Sequence, residues 1–166
     1  NVIFADADLA KAAATAPYAV FDNAGQDCCA RSRILVERSV MDDFLALLEP
    51  AVLGVRVEDP SLDTAEMGPL ISAGHRDSVA SFITDSTNVV IRGSVPDGPG
   101  YWYPATVVVP SSHDDPLMTD EVFGPVVGIT AYDSLDDALA QVEVALEFDS
   151  TLAEAHLLRG QILLGM

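Results

Sequence analysis

Short apolar runs alternate with amphipathic helical stretches as far as Tyr132, and this alternation restricts the fold more than any other feature of the chain. Val2 to Phe4 reads as a strand before the acidic turn A-D-A-D. Asp8 then opens a helical stretch with Leu9, Ala12, Ala13, Ala16 and Val20 on one stripe, ending near Asn23-Ala24-Gly25. Residues 26–31 form a loop, and Ser32 to Val40 alternates as a strand with Ile34 and Val36 opposed to Arg33 and Glu37. Met41 to Leu53 is a second helix, with Phe44, Leu45, Leu48 and Val52 facing one way. After a loop over 57–69 comes a third helix, Ser72 to Thr84. Strands follow at Val89–Ile91, at Tyr103–Val109 and within Val122–Tyr132. Such alternation predicts an α/β fold, a layered sheet with flanking helices. No period of 20 to 50 residues recurs through this part.

From Ser134 onward the pattern changes. Leu135, Ala138, Leu139, Val142, Ala145 and Leu146 make an amphipathic stripe. Asp149-Ser150-Thr151 interrupts it, and Thr151 with Glu154 fits a capping box for a further helix over about Leu152–Leu164. The tail, 134–166, therefore reads as a helical hairpin. An isolated two-helix unit buries little surface. At least one of these helices is expected to pack on the sheet near the 122–132 strand or on another copy of the chain.

Composition narrows the partners. The formal charge is −18, from 26 acids against 8 bases, and Lys11 is the only lysine. Such a surface repels phosphate, which argues against nucleic acid and anionic membranes. Few lysines among many acids fit a salt-adapted cytoplasm, although a GC-rich genome also favours Arg over Lys. Hydrophobic residues make up 49% of the chain, enough for a core. No uninterrupted apolar run is long enough to span a bilayer. The first residues carry acids and no basic n-region, unlike a signal peptide, and a start on Asn1 suggests that the natural start lies upstream. The two cysteines are adjacent and cannot staple distant parts of the fold, so a reducing cytoplasm is the expected compartment.

Those cysteines lie in Phe21-Asp22-Asn23-Ala24-Gly25-Gln26-Asp27-Cys28-Cys29-Ala30. A thiol in a glycine-containing loop after a helix can be exposed to a substrate, and the thiolate is its reactive form. Arg31 and Arg33 would favour the thiolate and Asp27 would oppose it. A small, buried, apolar cysteine is the alternative that spacing alone leaves open. The stretch resembles the cysteine active-site signature of the aldehyde dehydrogenase family: an aromatic, three variable residues, Gly-Gln, one variable residue, then Cys. Phe21, Gly25, Gln26 and Cys28 fill those places in order. The resemblance places the nucleophile at Cys28 and makes Cys29 a neighbour. Glu121-Val122-Phe123-Gly124-Pro125-Val126 is similar to the family's E-x-F-G-P segment. That likeness implies a cofactor-binding role for Glu121, on the nicotinamide ribose hydroxyls, and for Phe123, beside the nicotinamide. Stretches at 1–9, 32–36, 66–72 and 100–107 are also similar to the family, so the likeness covers about residues 1–140.

The resemblance implies NAD or NADP as cofactor, a small-molecule aldehyde as substrate, and attack of the thiolate on the aldehyde to give a thioester. It implies part of a catalytic domain, because the family's general-base segment E-L-G-G-K, its oxyanion asparagine and its dinucleotide-binding domain all precede the matched region. No G-x-G-x-x-G occurs in the chain. A missing partner domain or a homo-oligomer would complete the site, and the chain alone is expected to be inactive. The tail departs from the family and resembles a tetratricopeptide-repeat junction: Ala138, Val142, Ala145, Ala155 and Gly160 match its small and apolar positions. An ordinary helical hairpin remains the alternative. The domains read as 1–140, a partial catalytic domain, and 134–166, a helical hairpin. A second function class stands beside the enzyme, a non-catalytic remnant whose helical tail contacts another protein. His75, His113 and His156 lack metal-ligand spacing and read as surface or structural residues, so no metal is expected. Asp114-Asp115 and Asp136-Asp137 read as solvated acids at turn and helix starts.

Overall fold

A computed structural model describes residues 1–112, 114–148 and 159–160. Five strands, β1 (Val2–Ile3), β2 (Arg33–Glu37), β3 (Val89–Arg92), β4 (Thr106–Val108) and β5 (Val126–Tyr132), form one sheet in the order β1-β2-β5-β4-β3. Strands β1, β2, β5 and β4 run parallel, and β3 closes the edge antiparallel to β4. The helices are α1 (Leu9–Phe21), α2 (Met41–Leu53), α3 (Ala73–Ser81), the single turn α4 (Pro116–Thr119) and α5 (Leu135–Phe148). The layered α/β sheet with flanking helices expected from the sequence is the one observed.

The central strands are buried more fully than simple alternation suggests. Ile34, Leu35 and Val36 of β2 are all buried, because helices cover both faces of the sheet. Helices α1 and α2 pack on each other and bring Val20, Phe44, Leu48 and Val52 into one cluster with Ile34, Val36, Val127 and Ile129. Residues of opposite parity, Leu35 and Tyr132, meet Ala138 and Val142 of α5 on the other face. The first helix of the tail thus docks on β2 and β5, as its apolar stripe demanded. Tyr132 also ties β5 to the edge strand β1, its hydroxyl donating to the Ile3 carbonyl at 3.1 Å.

Local chemistry sets the ends of the elements. The Asp8 carboxylate accepts from the Lys11 N–H and caps α1, and the Ser72 hydroxyl accepts from the His75 N–H and caps α3. Ser134 does the same for α5 through the Asp137 N–H. Asp115 caps α4 by accepting from the Leu117 N–H, so one of the expected solvated acids is a helix cap. Several elements are shorter than their sequence patterns. The β2 strand stops at Glu37, where a 3-10 turn over Arg38–Val40 leads into α2. Helix α3 stops at Ser81, and β4 covers only Thr106–Val108 of the expected Tyr103–Val109, whereas β5 begins at Val126, directly after Gly124-Pro125 as expected. Among the described residues no helix is long and apolar enough to cross a membrane. The expected second tail helix lies outside the described residues except at Arg159 and Gly160, and Arg159 Nε stands 3.4 Å from Glu143 Oε1.

Candidate functional site

The cysteine loop begins where α1 ends. Asn23, Ala24 and Gly25 follow one another with φ of 51°, 55° and 68°, a left-handed turn that redirects the chain out of the helix. Glycine adopts that region without steric penalty, whereas the two residues before it need outside support. The loop supplies part of this support, since Asn23 Nδ2 donates to the Gln26 carbonyl and Gln26 Nε2 donates to the Asn23 carbonyl. The rest comes from a distance: Gln26 Oε1 accepts from the Ile71 N–H at 2.9 Å.

Beyond Gln26 both thiols are exposed. Cys28 Sγ and Cys29 Sγ stand 3.8 Å apart, far beyond a disulfide bond of about 2.05 Å. Asp27 turns its carboxylate back onto the Cys29 N–H at 2.9 Å, which shapes the turn that carries Cys28. Of the two readings left open by spacing, exposed thiol or buried apolar cysteine, the structure has the exposed thiol. Arg33, the second arginine near the thiols in sequence, reaches the segment that carries Glu121 and Phe123. Its guanidinium donates to the Asp120 carbonyl at 3.1 Å. Burial lowers its pKa, opposed by the carboxylates of Asp120 and Glu121. Arg33 is therefore an anchor for the second motif.

That second motif is a tight turn. Glu121 is exposed, and Phe123 has a left-handed backbone, φ 52°, with its side chain 39% exposed. A large aromatic residue in this region is uncommon and strained by about 1–2 kcal/mol. Helix α3 holds it there. His75 Nε2 lies 2.7 Å from the Phe123 carbonyl, and the two rings meet edge to face with centroids 6.2 Å apart. One turn further along α3, Val79 fills the space over Gly124, where an added Cβ would meet Val79 Cγ2 at 2.6 Å.

The two motifs meet backbone to backbone. A Cβ at Gly25 would sit 2.2 Å from the Gly124 carbonyl oxygen and 2.9 Å from the Pro125 nitrogen. Cys28 lies three residues after this contact and Phe123 one residue before it, so chain geometry holds their Cα atoms within about 20 Å. Neither residue lines the open groove of about 710 Å³ between Asn23–Gln26 and Met67–Ile71, which is bounded by the back of the loop. Asp27, Cys28 and Cys29 bring three possible ligand atoms within 4.8 Å of one another, all exposed, on consecutive residues of one turn. His75, read from the sequence only as surface or structural, bonds the Phe123 carbonyl, whereas His113 and His156 lie outside the described residues.

The roles of Gln26, His75 and Arg33 in this junction escaped the sequence. Their partners are 45, 48 and 87 residues away, and no local pattern announces such contacts. The glycines at 25 and 124 were the one available signal, since both sit where a backbone must approach closely.

The layered, mostly parallel sheet with flanking helices defines the molecule as an α/β domain, with an exposed thiol loop braced against a glycine–proline turn. The chain belongs to the aldehyde dehydrogenase family, whose model matches residues 1–145. It is 32% identical to a 2-hydroxymuconic semialdehyde dehydrogenase of Pseudomonas putida, over the whole of this chain and 37% of that protein. It is 36% identical to a succinate-semialdehyde dehydrogenase [NADP(+)] of Mycobacterium tuberculosis, over 87% of this chain and 32% of that protein. Among solved structures, a betaine aldehyde dehydrogenase of Staphylococcus aureus in complex with NAD+ superposes with a TM-score of 0.79 at 31% identity, over 85% of this chain and 30% of that one. The chain thus spans about a third of the length of the curated relatives it matches.

Proposed function

We propose that this chain supplies the nucleophile and the nicotinamide-side contacts of an aldehyde dehydrogenase that converts an aldehyde to its acid. The contact of Gly25 with Gly124 carries this reading, because it unites the loop of Cys28 with the turn of Glu121 and Phe123. In the reading, the Cys28 thiolate attacks the aldehyde carbon. A C–S bond forms, the carbonyl π pair moves onto oxygen, and the backbone N–H of Cys28 faces the resulting oxyanion. A bound NAD or NADP would supply the hydride acceptor, and loss of the hydride would leave the carbon as a thioester on Cys28. Water then cleaves the C–S bond and returns the thiol, with a general base from outside this chain accepting the proton.

The exposed groups suit such a cofactor. The Glu121 carboxylate can accept from two neighbouring ribose hydroxyls, and the Phe123 ring presents an apolar face to a planar heterocycle. The relatives are named for several aldehydes, 2-hydroxymuconic semialdehyde, succinate semialdehyde and betaine aldehyde among them.

Acyl transfer tests the nucleophile without any cofactor. Incubation with p-nitrophenyl acetate followed by peptide mapping is expected to place the acetyl group on Cys28, and Cys28→Ser should abolish the adduct. Equal or preferential acylation of Cys29 would overturn the assignment.

A further inference from the structure

The family reading leaves α3 without a part in the site, yet its residues 75 and 79 both bear on the Phe123–Gly124 turn. They are four residues apart and so share one face of the helix. Val79 bears on Gly124 from the side, and His75 reaches the carbonyl that precedes it. The N-terminal side of the same helix holds the other motif, since Ile71, one residue before the Ser72 cap, donates to Gln26. A single short helix therefore braces both loops.

We infer that His75 is a positioning residue that fixes Phe123 in its left-handed conformation and so holds the aromatic ring out toward the cofactor. The inference rests on the reading of Phe123 as a nicotinamide contact. A carbonyl oxygen only accepts, so His75 bonds through an Nε2–H, which the ring carries when protonated and in one neutral tautomer. The bond offsets the strain of a left-handed phenylalanine, which persists only where its surroundings over-determine it. Without the imidazole, the peptide after Phe123 loses its partner and the residue relaxes toward extended backbone. Its ring then leaves its edge-to-face position against His75.

Nuclear magnetic resonance of the whole 166-residue chain tests this. A positive φ gives Phe123 a strong intraresidue contact between its amide and Hα protons. His75→Ala is expected to lose that signature. His75→Gln, which keeps a side-chain N–H at similar reach, is expected to retain it. A merely structural histidine would lower the unfolding temperature in both variants and leave the signature in both, and that result overturns the inference. If His75→Ala does not fold, His75→Leu, which fills the space without a donor, takes its place in the same comparison. Titration with NAD+ separates the two layers of the argument. Phe123 ring signals are expected to move in the unmodified chain and not in His75→Ala. Signals that stay fixed in the unmodified chain, with the signature still lost in His75→Ala, would overturn the cofactor reading of Phe123 and leave the backbone clamp standing.

Discussion

Gly25 and Gly124, 99 positions apart, touch so closely that a methyl group on Gly25 would lie 2.2 Å from the Gly124 carbonyl oxygen. No rearrangement of a flexible side chain can make room, because the obstructing atoms are backbone. Gly25 also needs its φ of +68°, which an L side chain resists. Gly25→Ala should therefore destabilise the chain by about 2–4 kcal/mol, combining overpacking with left-handed strain. Urea unfolding measures this directly. A loss below about 1 kcal/mol would mean that the two motifs separate readily and that their contact is incidental.

Gln26 gives a second prediction. Its Oε1 is the bond that ties the cysteine loop to Ile71, and Gln26→Leu leaves that N–H to water while keeping most of the side-chain volume. The exposed bond contributes only about 1 kcal/mol, so the fold should survive. The loop should not keep its shape. In the unmodified chain, iodoacetamide is expected to label Cys28 before Cys29, and in Gln26→Leu the two rates should converge. Preferential labelling of Cys29 in the unmodified chain would count against Cys28 as nucleophile.

What the sequence disclosed follows from the range of each interaction. Helix α2 was legible to the residue, because Phe44, Leu48 and Val52 repeat at helical spacing and all three are buried. The start of α1 was legible from Asp8, whose cap is local. The site residues Cys28, Glu121 and Phe123 came from motif resemblance, and the structure joins their segments through two glycines. The burial of Leu35 was not legible, since a strand covered on both faces loses its alternation. Nor was the truncation of β2, where the apolar pattern continues into a 3-10 turn. The left-handed Phe123 was hidden for another reason: its cause, His75, belongs to a helix that local pattern places far away.

Tyr132 sets a pH dependence. Burial, reinforced by the carboxylates of Glu37 and Asp6, pushes its hydroxyl up from an ordinary 10.0 to about 12. Between those values the folded state keeps a proton that the unfolded state has lost. This contribution to stability is fully present below about pH 10 and is lost as pH rises through about 12. Deprotonation also removes the donor to the Ile3 carbonyl, which anchors β1. Thermal unfolding at rising pH should show a steep alkaline fall that is shallower in Tyr132→Phe. Equal slopes in both proteins would show that other groups govern the alkaline limit.

The last prediction concerns turnover by the 166-residue chain on its own. In the proposed function Glu121 and Phe123 would contact one end of a dinucleotide, whereas in Rossmann-type domains the pyrophosphate is held at a glycine-rich turn before a helix N-terminus. The sequence has no such G-x-G-x-x-G turn, and the chain spans 37% of its Pseudomonas putida relative. Binding energy drawn from the remote parts of a cofactor is what orients its reacting end. With one end held, Cys28 should still accept an acetyl group, but aldehyde should yield no NADH or NADPH above the uncatalysed rate. Absorbance in the reduced-nicotinamide band, with millimolar aldehyde and either cofactor, provides the measurement. Sustained turnover that Cys28→Ser abolishes would mean that residues within this chain hold the whole cofactor and provide the base, and the division of labour argued above would have to be abandoned.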